Sequence, residues 1–177
     1  MAVPTEQVVL LDNDGNAIGV ADKATVHTTE TALHLAFSCH LFDANGRVLV
    51  TRRALSKVTW PGVWTNSFCG HPSPGESVDD AVARRARVEL GIGVTSLQLV
   101  LPDFRYRAVD ASGIVENEMC PVYRAVTTDA VAANPYEVSE WEWVDPSSLV
   151  AAASAAPYAF SPWLVWQLEQ LSANPAG

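Results

Sequence analysis

The chain has 177 residues, of which 49% are hydrophobic and 18% charged, and a formal net charge of -9. That length and composition suit one globular domain with a core of its own and exclude a disordered or fibrous chain. The acidic balance argues against a nucleic-acid surface, no apolar run approaches the ~18 residues of a membrane span, and no leader pattern precedes the first periodic segment.

Val8 to Leu11 reads as a short strand closed by an Asp12–Asn16 turn. Leu33 to Phe42 reads as one long strand, and Asp43-Ala44-Asn45-Gly46 turns it into a hairpin with Arg47 to Thr51. Residues 54–76 carry Pro and Gly without periodicity and read as an ordered loop, where function often resides. Ser77 is an N-cap, with Asp80 three residues on, for a helix that runs to Leu90 and stops at Gly91. Val78, Ala81 and Val82 mark its buried stripe, and at 100° per residue Arg85 and Glu89 fall on the same stripe. These two charges form either an i,i+4 ion pair or one wall of a polar site. Residues 97–109 and 114–126 read as strands joined by Asp110-Ala111-Ser112-Gly113, and Glu140 to Val144 as another. Pro162 opens a last helix after Ser161. The expected class is a single α/β (α+β) domain spanning residues 1–177, with mixed sheets sandwiched by helices. Its core covers about residues 6–168, and a disordered tail is expected at 172–177.

Glu116 and Glu118 are two apart on a strand and so share a face. For the pair alone, metal binding and a solvated face both stay open. His27, His34 and His71 match no zinc-finger or His-Glu-x-x-His spacing, but three imidazoles plus carboxylates would suit zinc, manganese or iron(II) better than calcium. Cys39, Cys69 and Cys120 are an odd number without framework spacing and read as free thiols in a reducing cytoplasm. Cys39 and Cys120 lie in apolar strands and read as structural, whereas Cys69 sits in a Pro/Gly-bounded loop beside a candidate ligand. Lys23, Arg52, Arg53 and Lys57, with Arg84, Arg85 and Arg87 on the helix, concentrate positive charge in an acidic chain and suggest a phosphate or diphosphate site.

Gly70-x5-Glu76-x7-Arg84 followed by Glu89-Leu90-Gly91 resembles a degenerate Nudix box, with Arg85 and Val88 in place of two of its three clustered glutamates. Arg52-Arg53-Ala54-Leu55-Ser56-Lys57, Trp60 to Ser67, Cys69-Gly70-His71-Pro72, Tyr106-Arg107 and Glu116-Asn117-Glu118 closely resemble type I isopentenyl-diphosphate Δ-isomerases. The resemblance implies a Nudix-type fold that interconverts isopentenyl and dimethylallyl diphosphate in isoprenoid precursor synthesis. It implies His27, His34, His71, Glu116 and Glu118 as ligands of one Mn²⁺, Zn²⁺ or Mg²⁺. It implies Cys69 and Glu118, with Tyr106, as the catalytic groups. Glu89 and the main-chain carbonyl of Cys69 would hold a Mg²⁺ that arrives with the diphosphate. Lys23, Arg53, Lys57 and Arg85 would bind phosphate, and Tyr106 and Trp163 would line the pocket. Val3 to Leu11 and the 55–65 loop are expected lid elements. No flavin or nicotinamide, no nucleic acid and no membrane is expected, and the chain is expected to be a monomer or weak homodimer. The rival readings are a Nudix hydrolase of nucleoside diphosphate derivatives and a non-catalytic metal-binding module.

Overall fold

The computed structural model describes residues 6–173, so the Val3–Thr5 part of the expected lid lies outside the described residues. In chain order the elements are β1 (Gln7–Leu11), β2 (Ala17–Asp22), β3 (His34–Leu35), β4 (Phe37–Phe42), β5 (Val48–Arg53), β6 (Trp64–Thr65) and β7 (Phe68–Gly70). Then come α1 (Val78–Leu90), β8 (Thr95–Leu101), β9 (Arg105–Val109), β10 (Val115–Met119), β11 (Val122–Val126), β12 (Val138–Val144), α2 (Pro146–Ala155) and α3 (Pro162–Ala173). The first sheet runs β2-β1-β3-β10-β9, and the second β12-β5-β4-β11-β8, with β6 on β5 and β7 on β4. Of the expected tail, Ser172 and Ala173 close α3, and residues 174–177 lie outside the described residues.

Three stretches read as single strands are each divided between the two sheets. The chain leaves the first sheet at Leu35 and enters the second at Phe37, with Ala36 donating its N–H to the Met119 carbonyl at the crossing. The same change happens between β8 and β9 at Pro102, and between β10 and β11 at Pro121. Proline cannot donate to a ladder, so both breaks have a local cause. The expected β4–β5 hairpin forms, but only Phe42 and Val48 pair directly before the strands diverge. The residue 54–76 stretch is not wholly irregular: β6 and β7 fill the resulting wedge. The unforeseen helix α2 starts from Asp145, whose side chain accepts from Ser148 N–H, with Pro146 in the first turn.

The second sheet is covered on both faces. On one face Phe37, Leu41, Leu49 and Phe68 pack with Ala81, Val82 and Leu90 of α1. On the other, Val48 and Val50 pack with Leu149 of α2 and Leu164 of α3. Alternation along β4 therefore sends Phe37, Cys39 and Leu41 towards α1, and turns Ser38 and His40 towards α3.

Helix α1 is capped as its sequence predicts. Ser77 Oγ accepts from Asp80 N–H, and Gly91 takes the left-handed conformation at φ 66°. Its approach to β7 depends on Gly70, because an added Cβ there would lie 2.6 Å from Arg85 Cγ and 3.0 Å from two Phe37 ring atoms. Gly70→Ala is expected to cost about 1–3 kcal/mol through overpacking, read as a lower urea midpoint at unchanged slope. An unchanged midpoint would show that Arg85 and Phe37 yield without loss.

Candidate active site

The two sheets and α1 converge on a cavity of about 190 Å³, walled by polar groups at one end and aromatic rings at the other. Strand pairing aligns two of its side chains with a buried histidine beside it. Glu118 on β10 lies opposite Tyr106 on β9 and opposite His34 on β3, and Glu116 lies two residues earlier on β10. The period-2 reading of the two glutamates thus holds. Both are buried, so the open choice between a solvated face and an interior site resolves to the interior.

His27, His34, His71 and Glu118 each offer one ligand atom, and the four atoms lie within 4.8 Å of one another. Glu116 borders this group, with Oε2 3.0 Å from His27 Nε2. Its other oxygen accepts from Thr59 Oγ1 at 2.5 Å. His34 Nδ1 donates to the Ala32 carbonyl at 2.9 Å, which directs its bare Nε2 inward. Three buried nitrogens, His27 Nε2, His34 Nε2 and His71 Nδ1, have no hydrogen-bond partner. Orphaned buried polar atoms are costly, and three of them beside carboxylates are the signature of a cation-binding set. The donors therefore fit a divalent metal.

Glu118 is the hub. Its Oε1 lies 2.9 Å from His71 Nε2 and 3.4 Å from His34 Nε2, and its Oε2 accepts from the Tyr106 hydroxyl at 2.8 Å. Burial favours its neutral form, yet the imidazoles of His34 and His71 outweigh that and hold the carboxyl well below the usual range. Burial pulls both imidazoles down. Glu118 overcomes this at His34, whose pKa rises, but not at His71, whose pKa falls, since one carboxylate oxygen cannot hold two imidazolium ions. Burial and the Glu118 charge keep Tyr106 a protonated phenol, fit to donate.

Cys69 lies on β7 and lines the same cavity. Burial pushes its thiol up to about 12, the neighbouring Ser38 hydroxyl opposes this, and the Glu118 charge adds to the rise. The group is thus a thiol facing a carboxylate. Its S–H donates to Asn66 Oδ1 at 3.3 Å. The same oxygen accepts from Trp163 Nε1 at 3.1 Å and Thr65 Oγ1 at 3.0 Å, while Asn66 Nδ2 donates to the carbonyls of Cys39 and Phe68. Asn66 was not read as functional from the sequence, although it stands in the quoted 60–67 stretch.

The aromatic end is built by Trp163, with Tyr106 tilted beside it at 5.6 Å and Trp60 edge-on at 5.2 Å between centroids. The Arg53 guanidinium carbon stands 5.4 Å from the Trp163 ring centroid, so this indole already attracts a cation.

Lys23, Lys57 and Arg85 reach the cavity with carboxylate partners, whereas the Arg53 guanidinium donates to the Thr59 and Trp60 carbonyls. Lys23 pairs with Glu6 at 2.5 Å, Lys57 with Glu137, and Arg85 with Glu89 at 2.5 Å and Glu137 at 3.2 Å. Both sequence readings of Arg85 and Glu89 hold: they form the i,i+4 pair and they line the cavity. Burial raises the Glu89 carboxyl, and Arg85 only partly offsets it. Glu137, which the sequence reading missed, is held low by Lys57 and Arg85 against burial. Of the other helix arginines, Arg84 serves Glu76 and the His71 carbonyl, and Arg87 is exposed.

Residues 32–164 match the NUDIX domain family. The chain is 65% identical over 167 residues to an isopentenyl-diphosphate Delta-isomerase of Clavibacter michiganensis subsp. michiganensis, covering 94% of this chain and 86% of the relative. It is 63% identical over 175 residues to one of Leifsonia xyli subsp. xyli, covering 98% and 95%. Its fold is similar to the crystal structure of DR0079 from Deinococcus radiodurans, with a TM-score of 0.72 at 20% identity over 93% of this chain and 98% of that one.

Proposed function

This chain belongs to the isopentenyl-diphosphate Δ-isomerases of the Nudix superfamily, enzymes of isoprenoid precursor biosynthesis, and we propose that Cys69 and Glu118 move the double bond across the cavity they share. The observation that carries the reading is one cavity lined by a thiol, by a carboxylate held by two imidazoles and a phenol, and by an indole.

Isomerisation adds a proton at C4 of the alkene and removes one from C2. An alkene is a very weak base, so the protonated species resembles a tertiary carbocation. Water would capture it, and the slot must exclude water while stabilising positive charge. Trp163 and Tyr106 provide π faces, each worth about 2 kcal/mol to a desolvated cation. Tyr106 O–H holds Glu118 Oε2, so it fixes the oxygen nearest the aromatic end and relays hydrogen-bond polarity to it. Once the thiol proton of Cys69 has passed to the Glu118 carboxylate, Glu118 protonates C4 and the Cys69 thiolate accepts the C2 proton, which restores carboxylate and thiol. In the other direction Cys69 gives its proton to C2 and Glu118 takes one from C4. Resetting the pair for the next turnover then needs a proton to pass from one group to the other.

A divalent ion held by His27, His34, His71, Glu116 and Glu118 would order the carboxylate and tune its acidity. The three imidazole donors favour Mn²⁺ or Zn²⁺ at this site over Mg²⁺, which prefers an all-oxygen shell. Mg²⁺ would enter with the diphosphate near Glu89 and the Cys69 carbonyl. Lys23, Lys57 and Arg85 would exchange Glu6 and Glu137 for phosphate oxygens, Arg53, which donates to the Thr59 and Trp60 carbonyls, would join them, and binding energy from that tail would position the reacting carbons. Nothing in this scheme needs a flavin, a nicotinamide, a nucleic acid or a membrane surface. We place the enzyme in the cytoplasm as a monomer or weak homodimer, consistent with three free cysteines. Among the described residues no helix is long and apolar enough to cross a membrane.

The hydrolase reading is not favoured. The box positions that would carry two of the water-activating glutamates are Arg85, committed to Glu89, and Val88, an exposed apolar residue. Tyr106→Phe removes one hydrogen bond to a carboxylate and is expected to lower kcat roughly 10- to 100-fold with little change in KM. A kcat equal to the parent's would remove the phenol from the mechanism.

A further inference from the structure

Behind Cys69, on the side of β4 turned towards α3, lies a fully enclosed line of polar groups. Ser38 and Gln167 are 0% exposed and His40 is 3% exposed. His40 Nε2 is 2.9 Å from Gln167 Oε1, and Gln167 Nε2 donates to Ser38 Oγ at 2.9 Å. Ser38 Oγ in turn lies 3.3 Å from Cys69 Sγ and 3.4 Å from Cys120 Sγ. Four polar side chains in series inside an apolar region are expensive unless each is satisfied, and this set satisfies itself in one direction.

The direction follows from the donors. An amide oxygen only accepts, so His40 donates through Nε2. Burial pulls His40 down to about 4, so the ring is neutral and carries its one N–H on that nitrogen. Gln167 is thereby oriented with its NH₂ towards Ser38. The Ser38 oxygen receives that N–H, which leaves the hydroxyl proton for a sulfur. Cys69 directs its own S–H to Asn66 Oδ1, so its lone pairs face Ser38. Cys120, 1% exposed, has no part in the proposed proton transfers and can donate its S–H to the Ser38 oxygen.

We propose that His40, Gln167 and Ser38 form a positioning array that aims the Ser38 hydroxyl proton at the Cys69 sulfur. Resting on the assignment of Cys69 as a catalytic group, this gives the array a definite task. In either direction of isomerisation Cys69 gives or takes a proton, and the aimed hydroxyl donates to the sulfur when that proton has left. None of the three residues touches the substrate, so each acts through the sulfur. His40 sets the polarity, Gln167 transmits it, and Ser38 delivers it.

The test is steady-state kinetics with isopentenyl diphosphate on Ser38→Ala, Gln167→Met, the double variant and Cys69→Ala, with infrared spectra of the Cys69 S–H stretching band. Ser38→Ala is expected to lower kcat roughly 10- to 100-fold, the loss of one hydrogen bond to a developing charge, with KM retained. Gln167→Met conserves volume and is expected to lower kcat roughly 3- to 10-fold by freeing the hydroxyl to rotate. The double variant should match Ser38→Ala, because Gln167 acts only through Ser38. The S–H band, assigned by its loss in Cys69→Ala, should shift in both single variants, and Gln167→Met carries the test alone if Ser38→Ala fails to fold. Parent-like kcat with an unmoved band, in variants that fold while Cys69→Ala is inactive, would overturn the array. An active Cys69→Ala would instead overturn the assignment on which it rests.

Discussion

Cys69→Ala and Glu118→Gln each lower isomerisation by at least about 10²- to 10⁴-fold, the range lost with a general acid or base, while the fold is retained. The retained fold is part of the expectation. Alanine at 69 removes only the sulfur that contacts Ser38 and Asn66. Glutamine at 118 keeps the shape that receives Tyr106 but loses the negative charge held between His34 and His71. Because the two groups act on different carbons, neither variant can be rescued by the other, and the double variant should be no slower than the worse single one. Turnover near the parent level in either, measured as acid-labile allylic product, would break the assignment.

Stripping divalent ions should have the second-largest effect, and it has two readouts. Activity with isopentenyl diphosphate and Mg²⁺ should vanish after exhaustive chelation and return with Mn²⁺ or Zn²⁺. Stability should fall as well. The three buried imidazole nitrogens that make no hydrogen bond would be satisfied by an ion, so the loaded protein gains binding free energy that the unfolded chain does not. At a hundredfold excess over Kd this gain is about 2.7 kcal/mol, which for a domain of this size raises Tm by about 5–10 °C. His34→Ala, which removes the innermost ring, should abolish most of that increment. An unchanged Tm on chelation would show that the imidazole cluster is not a metal site.

How far the sequence discloses this molecule can be traced through single residues. The α1 boundaries were legible because Ser77 and Gly91 carry local capping chemistry that tertiary structure does not alter. The shared face of Glu116 and Glu118 was legible from period 2 alone. That His34, Glu118 and Tyr106 form one row was not, because it depends on the pairing of β3 with β10, a contact between distant segments without a local signal. Their roles reached the sequence reading only through family resemblance.

The divided strands show the opposite failing. Pro102 and Pro121 mark the points where the chain changes sheets, yet strand-forming residues continue on both sides of each single proline and masked the breaks. The same masking hid the line behind Cys69. Ser38 and His40 sit at alternate positions of an apolar strand, and only α3 packed against that face shows that Gln167 bridges them. Helix α2 escaped because its alanine-rich stretch has little periodicity, although Asp145-Pro146 was a readable start. Glu6 and Glu137 were overlooked because a carboxylate facing a lysine from another element looks, in one dimension, like any surface acid.

The most direct measurement of the central claim is conversion of isopentenyl diphosphate in D₂O with Mg²⁺, followed by NMR. A thiol and a carboxyl group that exchange with solvent, acting on C4 and C2, predict dimethylallyl diphosphate with deuterium in the methyl derived from C4 and the diphosphate intact. Release of phosphate, or an unlabelled methyl in the allylic product, would contradict proton transfer by Cys69 and Glu118 across this cavity.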